Sequence, residues 1–268
     1  MIVFGLLVFG DELLSGKRQD AHVPKLIELL AERGQELGWV RYVRDDRAQQ
    51  AAALRAALAC GDVVFSCGGI GATPDDHTRQ AAALALGVPL QAHGAAQALI
   101  RQRAAEVALE RGLPPPDPTH PDLQRRLEMG VLPAGSRLIP NPYNRIAGFS
   151  LGRVHFVPGF PVMAHPMMAW VLEQEYGLMP RPIEVRERSL VLQGAFEAQL
   201  TPLMERVEAE FPGIKVFSLP SEDHPQWGKC IELGVKGGAD DAQRLIAYAV
   251  LVQGLRDFGA RICTEMVR

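Results

Sequence analysis

Between two segments of regular pattern the chain reads Gly68-Gly69-Ile70-Gly71-Ala72-Thr73-Pro74-Asp75-Asp76-His77-Thr78. Glycines let a backbone approach a phosphate closely, and the N–H groups that open a following helix complete an anion site. The run lacks the Gly-Lys-Ser/Thr of a Walker A loop. It is not a dinucleotide fingerprint either, because Pro74 stands where the third glycine would be. Two further acidic groups, Gly10-Asp11-Glu12 and Asp45-Asp46, follow apolar runs in the same way. If the three runs are parallel strands, these carboxylates gather with Asp75 and Asp76 at one sheet edge. Carboxylates and phosphate oxygens are the usual ligands of Mg²⁺ or Mn²⁺, so the pattern combines a phosphate cradle with a hard divalent cation. Taken singly, each carboxylate is also an ordinary helix cap or loop residue, and Asp20 and Asp46 are read that way.

His77 fits a second-shell hydrogen bond better than a general base, and Cys67 fits a small buried residue better than a nucleophile. Met163, Met167 and Met168 at helical spacing suit packing or an oligomer contact. Asn141, Asn144 and the turn Pro158-Gly159-Phe160-Pro161 could line a pocket opposite the glycines.

The elements that must position these residues follow from periodicity. The first 90 residues alternate short apolar runs with helix-period segments, as in βαβ units around a parallel sheet. Strands are expected at 2–9, 37–43 and 62–66, and helices at 22–33, from about 47 to 59, at 76–86, 95–111 and 123–129. The Pro-rich stretch 113–118 must be a loop. A hairpin is expected over 149–151 and 154–157, followed by a Met-rich helix to about residue 176. Beyond a boundary at Arg181-Pro182, strand 184–192, helix 196–210, strands 215–219 and 230–235, helix 240–258 and a last strand near Arg261 give the β-α-β-β-α-β order of a ferredoxin-like domain. The expected domains are thus 1–178 and 182–268.

Composition narrows the classes. The chain has 268 residues, 47% hydrophobic and 22% charged, with a net charge of −3 and no basic block. That argues against nucleic acid as a partner. No apolar stretch reaches the length of a membrane span, and the apolar opening lacks the basic start of a signal peptide. Cys60, Cys67, Cys230 and Cys263 form neither a disulfide framework nor a zinc spacing, which points to a reducing cytoplasm.

The series Val8-Phe9-Gly10-Asp11-Glu12-Leu13-Leu14-Ser15-Gly16, Asp20, Asp45-Asp46, the run from Gly68 to Thr78, and Val157-Pro158-Gly159-Phe160-Pro161 resembles the molybdopterin-binding (MoaB/MogA-like) domain of the competence/damage-inducible protein A (CinA) type over roughly residues 1–176. The tail is similar to the small second domain of CinA proteins. The resemblance implies a three-layer α/β/α domain with a mostly parallel sheet, followed by a small α+β domain, in a homo-oligomer, dimer or trimer. It also implies a small phosphorylated nucleotide or pterin ligand.

In the CinA branch it implies a metal-dependent pyrophosphatase acting on ADP-ribose or a related compound. In the MogA branch it implies molybdopterin binding or adenylyl transfer. The residues carried over are Gly68, Gly69, Gly71, Thr73, Thr78, Gly10, Asp11, Pro158 and Gly159 for the ligand's phosphates, Asp75, Asp76 and Glu12 for catalysis, and Asp45, Asp75 and Asp76 for Mg²⁺ or Mn²⁺. Two positions depart from the family's pattern: Ala72 stands in place of a frequent Pro, and Ala21-His22 in place of Thr-Asn. A nicotinamide-nucleotide deamidase domain is expected to be absent.

Overall fold

The computed structural model describes residues 2–180, 187–238 and 240–268. Contacts divide the chain into two compact units, Met1–Arg181 and Pro182–Arg268. The boundary expected at Arg181-Pro182 and the start of strand 184–192 lie outside the described residues.

In the first unit β1 (Phe4–Phe9), α1 (Asp11–Leu14), α2 (His22–Ala31), β2 (Leu37–Val43), α3 (Arg47–Cys60), β3 (Val63–Cys67) and α4 (Thr78–Leu86) succeed one another. Next come β4 (Leu90–Ala92), α5 (Gly94–Glu110), α6 (Pro121–Leu127), β5 (Val131–Pro133), β6 (Arg137–Ile139), β7 (Gly148–Leu151), β8 (Val154–Val157) and α7 (Pro161–Gln174). The main sheet has the order β2-β1-β3-β8-β7-β6. Its first four strands are parallel; β7 runs antiparallel to β8, and β6 antiparallel to β7.

A strand covered on both faces needs apolar residues at every position, and β1 and β3 are buried throughout. Phe4, Leu6 and Val8 pack under α2 and α7 with Phe65, Met167 and Leu172. Leu7, Phe9 and Val64 face α3 and α4 with Leu54 and Ala81. The result is the expected three-layer sandwich. Full burial of one such Phe or Leu contributes about 1.5–3 kcal/mol.

The expected elements of this unit recur with shifts of a few residues. Helix 76–86 begins only at Thr78, because Asp75 to His77 form the turn that carries the glycine loop into α4. Helix 123–129 starts two residues earlier on Pro121 and ends in a 3-10 turn, Glu128–Gly130. Four short elements went unforeseen: α1, the antiparallel pair β4 and β5, and β6.

The second unit comprises β9 (Glu187–Gln193), α8 (Glu197–Glu210), β10 (Ile214–His224), β11 (Gly228–Gly237), α9 (Asp241–Phe258) and β12 (Arg261–Val267). Its sheet is antiparallel in the order β10-β11-β9-β12, that of a ferredoxin-like fold. Leu190, Leu192, Leu233 and Val235 of the sheet pack against Leu200, Val207, Leu251 and Leu255 of the two helices. Among the described residues no helix is long and apolar enough to cross a membrane.

Candidate functional site

The parallel register sets the site. Phe9 pairs with Val43, Val8 with Cys67, and Cys67 with Val157, so Gly10, Arg44, Gly68 and Pro158 emerge side by side at one carboxyl edge. Backbone bonds carry the alignment one residue further: the Gly10 N–H donates to Val43 O at 3.3 Å, and the Gly68 N–H to Val157 O at 3.1 Å.

The glycine loop is held by its own helix. The Thr78 hydroxyl donates to Gly68 O at 2.9 Å, and the Thr78 N–H to Gly69 O at 3.0 Å. Gly68 adopts φ +100, and a Cβ there would stand 2.6 Å from Phe9 O, so only glycine fits. At Gly71 a Cβ would collide with the Asp76 carboxylate at 2.5 Å. The Arg79 guanidinium reaches back to Gly71 O at 2.6 Å and to Glu128 O, tying the loop to the 3-10 turn.

A cavity of about 410 Å³ opens at this edge. Gly10, Glu12, Asp45, Gly68, Gly69, Gly71, Thr73, Asp75, Asp76, Pro158 and Gly159 all border it. Asn141, Asn144, Met129, Ile146, Phe160 and Met163 form the facing wall. Two of the expected ligand-binding residues do not line it. Asp11 turns its carboxylate out to Arg44, 3.1 Å away, because a single-turn α1 presents it to solvent. Thr78 is fully buried beneath the loop, where its hydroxyl is committed to Gly68 O. Both therefore shape the site from outside.

The carboxylates differ in their surroundings. Asp45 accepts the Asp11 N–H at 2.9 Å. Burial, with crowding by Asp11, Glu12 and Asp75, nevertheless holds its pKa above the usual carboxylate range. Asp76 accepts the Thr73 N–H at 2.8 Å and the Thr73 hydroxyl. That hydroxyl also lies near enough to Asp75 to lower its pKa, assisted by the Asp75 N–H and by His77. Among the described residues no group of three or more His, Cys, Asp or Glu side chains is arranged to hold a metal ion. The Asp45, Asp75 and Asp76 set expected to hold a metal is thus not assembled as a protein-only cage; Mg²⁺ sites of one or two carboxylates draw their other ligands from substrate phosphates and water. Crowding of like charge at Asp45 is what such a cation would relieve.

Several neighbours carried no usable pattern in the sequence. Arg18 and Ile146 border the cavity from loops and Met129 from the 3-10 turn, and Arg79 is buried although its helical position reads as surface. His22, one of the two departures from the family pattern, is buried with Nε2 3.2 Å from Gly159 O and so braces the Pro158-Gly159 turn. Cys67 is buried, which pushes its thiol pKa up and leaves it inert. Met167 and Met168 belong to the core, and Met163 accepts the Asn144 amide N–H at its sulfur, 3.2 Å away.

An open α/β sheet with a glycine loop and carboxylates at its carboxyl edge is a three-layer α/β domain with a cavity where such folds hold ligands. The family described as "Probable molybdopterin binding domain" matches residues 5–177, and the chain belongs to it. A CinA-like protein of Anaeromyxobacter dehalogenans is 33% identical over 172 residues, covering 62% of this chain and 40% of the relative. The chain thus spans well under half of that relative's length. A protein of Pyrobaculum calidifontis is 28% identical over 219 residues, covering 80% of this chain and 79% of its own. Among solved structures, the protein CinA of unknown function from Thermoplasma acidophilum superposes with a TM-score of 0.54 at 25% identity. It covers 65% of this chain and 98% of its own.

Proposed function

We propose that the cavity binds a dinucleotide-like phosphate compound of the ADP-ribose class and hydrolyses its phosphoanhydride in the presence of Mg²⁺ or Mn²⁺. The observation that carries this assignment is the meeting of Glu12, Asp45, Asp75 and Asp76 with the glycine loop around one cavity. Carboxylates alone would repel a pyrophosphate, so this lining makes sense for a ligand that brings or shares a cation. Gly68, Gly69 and Gly71 bring backbone close to the phosphates, with Thr73 beside them. Asp45, Asp75 and Asp76 are the carboxylates for the cation, and Glu12 borders the same cavity beside Gly10. A bound divalent cation would withdraw charge from the phosphoryl oxygens and lower the pKa of a bound water. Glu12, which borders the cavity, would take a proton from the attacking water. Water adds to one phosphorus, the bridging oxygen leaves with the other phosphate, and AMP and ribose 5-phosphate result from ADP-ribose. The apolar wall of Met129, Ile146, Phe160 and Met163 suits a ring system.

A second reading has its own observation: Asp45 and Asp76 both make internal hydrogen bonds, as they would in a site that binds a pterin or nucleotide without turnover. Incubation of the protein with ADP-ribose, FAD, NADH and related compounds with divalent metals separates the two. AMP release that EDTA abolishes is expected; tight binding by calorimetry with no product under any condition would establish the second.

A further inference from the structure

Behind the Thr73-Pro74 turn lies a second pocket, of about 290 Å³, bordered by Arg47, Arg79 and Arg125 together with His77 and Gln80. It shares Ala72, Thr73 and Asp76 with the main cavity as a dividing wall. Arg79 is only 5% exposed. Its two terminal nitrogens donate to the neutral carbonyls of Gly71 and Glu128, while its Nε is buried without a partner. Among the described residues no carboxylate comes within ion-pair distance of it; Asp76 and Glu128 act on its charge from further off.

Arg47 and Arg125 are exposed and, among the described residues, make neither a hydrogen bond nor an ion pair. The pocket also takes in the start of α4, where no side chain caps the helix and the Thr78 N–H is already given to Gly69 O. Two carboxylates border it as well: Asp76, occupied by Thr73, and Glu128. The Gln80 amide oxygen is buried without a partner and can accept a proton from a phosphate hydroxyl.

We propose that Arg47, Arg79 and Arg125, with the opening turn of α4, form a phosphate-binding site separate from the main cavity. Arginine forks match phosphate oxygens in bidentate fashion, and an arriving dianion would give the unpartnered Arg79 Nε an acceptor. The phosphate can belong to the ligand seated in the main cavity, reaching over the dividing wall, or it can be free phosphate. The site does not depend on the hydrolytic assignment of the main cavity.

Arg47 and Arg125 are the residues to change, because Arg79 braces the glycine loop and its loss would disturb both pockets. Calorimetric titration of the full chain with inorganic phosphate at constant ionic strength is expected to show saturable binding. The Arg47→Ala/Arg125→Ala double variant should weaken it by roughly tenfold or more. The Arg47→Lys/Arg125→Lys variant, which keeps the charge but not the planar fork, should fall between the two. Absence of saturable phosphate binding, or binding by the double alanine variant equal to that of the unaltered protein, would overturn the proposal. The latter result would place phosphate on the glycine loop instead.

ADP-ribose titrated into phosphate-saturated protein identifies the source. Weakened binding that the double alanine variant does not show means that one ligand spans both pockets, and unchanged binding means that the site takes free phosphate. Either supports the site. AMP release by the unaltered protein, followed in parallel, tests the hydrolytic assignment of the main cavity separately from phosphate binding.

Discussion

Asp75 and Gly68 belong to one loop but serve it in different ways, and substitutions should separate the two roles. Asp75 is exposed and carries no packing, so Asp75→Ala is expected to leave the melting temperature unchanged and to reduce metal-dependent turnover by about a hundredfold or more. Gly68→Ala forces a side chain into φ +100 against Phe9 O and should cost about 1–3 kcal/mol, measured by urea unfolding, with loss of ligand binding. The glycines and acids of this loop were legible because their types are scarce and their order is distinctive. Asp11 misled for a physical reason: its spacing from β1 is right, but an exposed helical turn points it at Arg44. Arg79 left no signal, since nothing in sequence distinguishes an arginine that points inward to carbonyls from one on a helix surface.

At the level of elements, the strands that carry the site were the easiest to foresee. Continuous apolar runs such as Val63-Val64-Phe65 have few uses besides a doubly covered strand. Short pairs such as β4 with β5 were not legible, because three residues define no period and their pairing is settled by distant chain. The link between α2 and α7 was also hidden. Arg33, 3% exposed, donates to Leu29 O and Leu178 O and pairs with Glu173 at 2.7 Å. Arg33→Ala would leave those acceptors unpaired and is expected to destabilise the first unit by about 3 kcal/mol, read as a lower urea midpoint with an unchanged slope.

On the scale of the whole molecule, the first unit should be acid-sensitive through a group far from the site. His155, early in β8, is fully buried, with Nδ1 2.9 Å from the Ser150 hydroxyl and Nε2 2.6 Å from the Tyr176 hydroxyl. Burial lowers its pKa to about 4, with Glu175 opposing and Arg137 and Arg153 assisting. An unfolded chain takes up that proton near pH 6.5, so the contribution is complete above that value, falls as pH drops toward 4 and is then lost. About 3 kcal/mol should disappear over that window, seen as a falling melting temperature of the first unit that His155→Gln makes shallower.

The net charge of −3 is compatible with the proposed phosphate ligand: the carboxylates bordering the cavity of the first unit follow the ends of its parallel strands, where a shared cation would convert repulsion into binding. The direct test is AMP release from ADP-ribose by the full chain in 18O-labelled water, with Mn²⁺ or Mg²⁺ and with EDTA. The account predicts AMP and ribose 5-phosphate, label in one of the two phosphates, and no reaction with EDTA or in Asp75→Ala; recovery of unchanged, unlabelled ADP-ribose in the presence of either metal would contradict it.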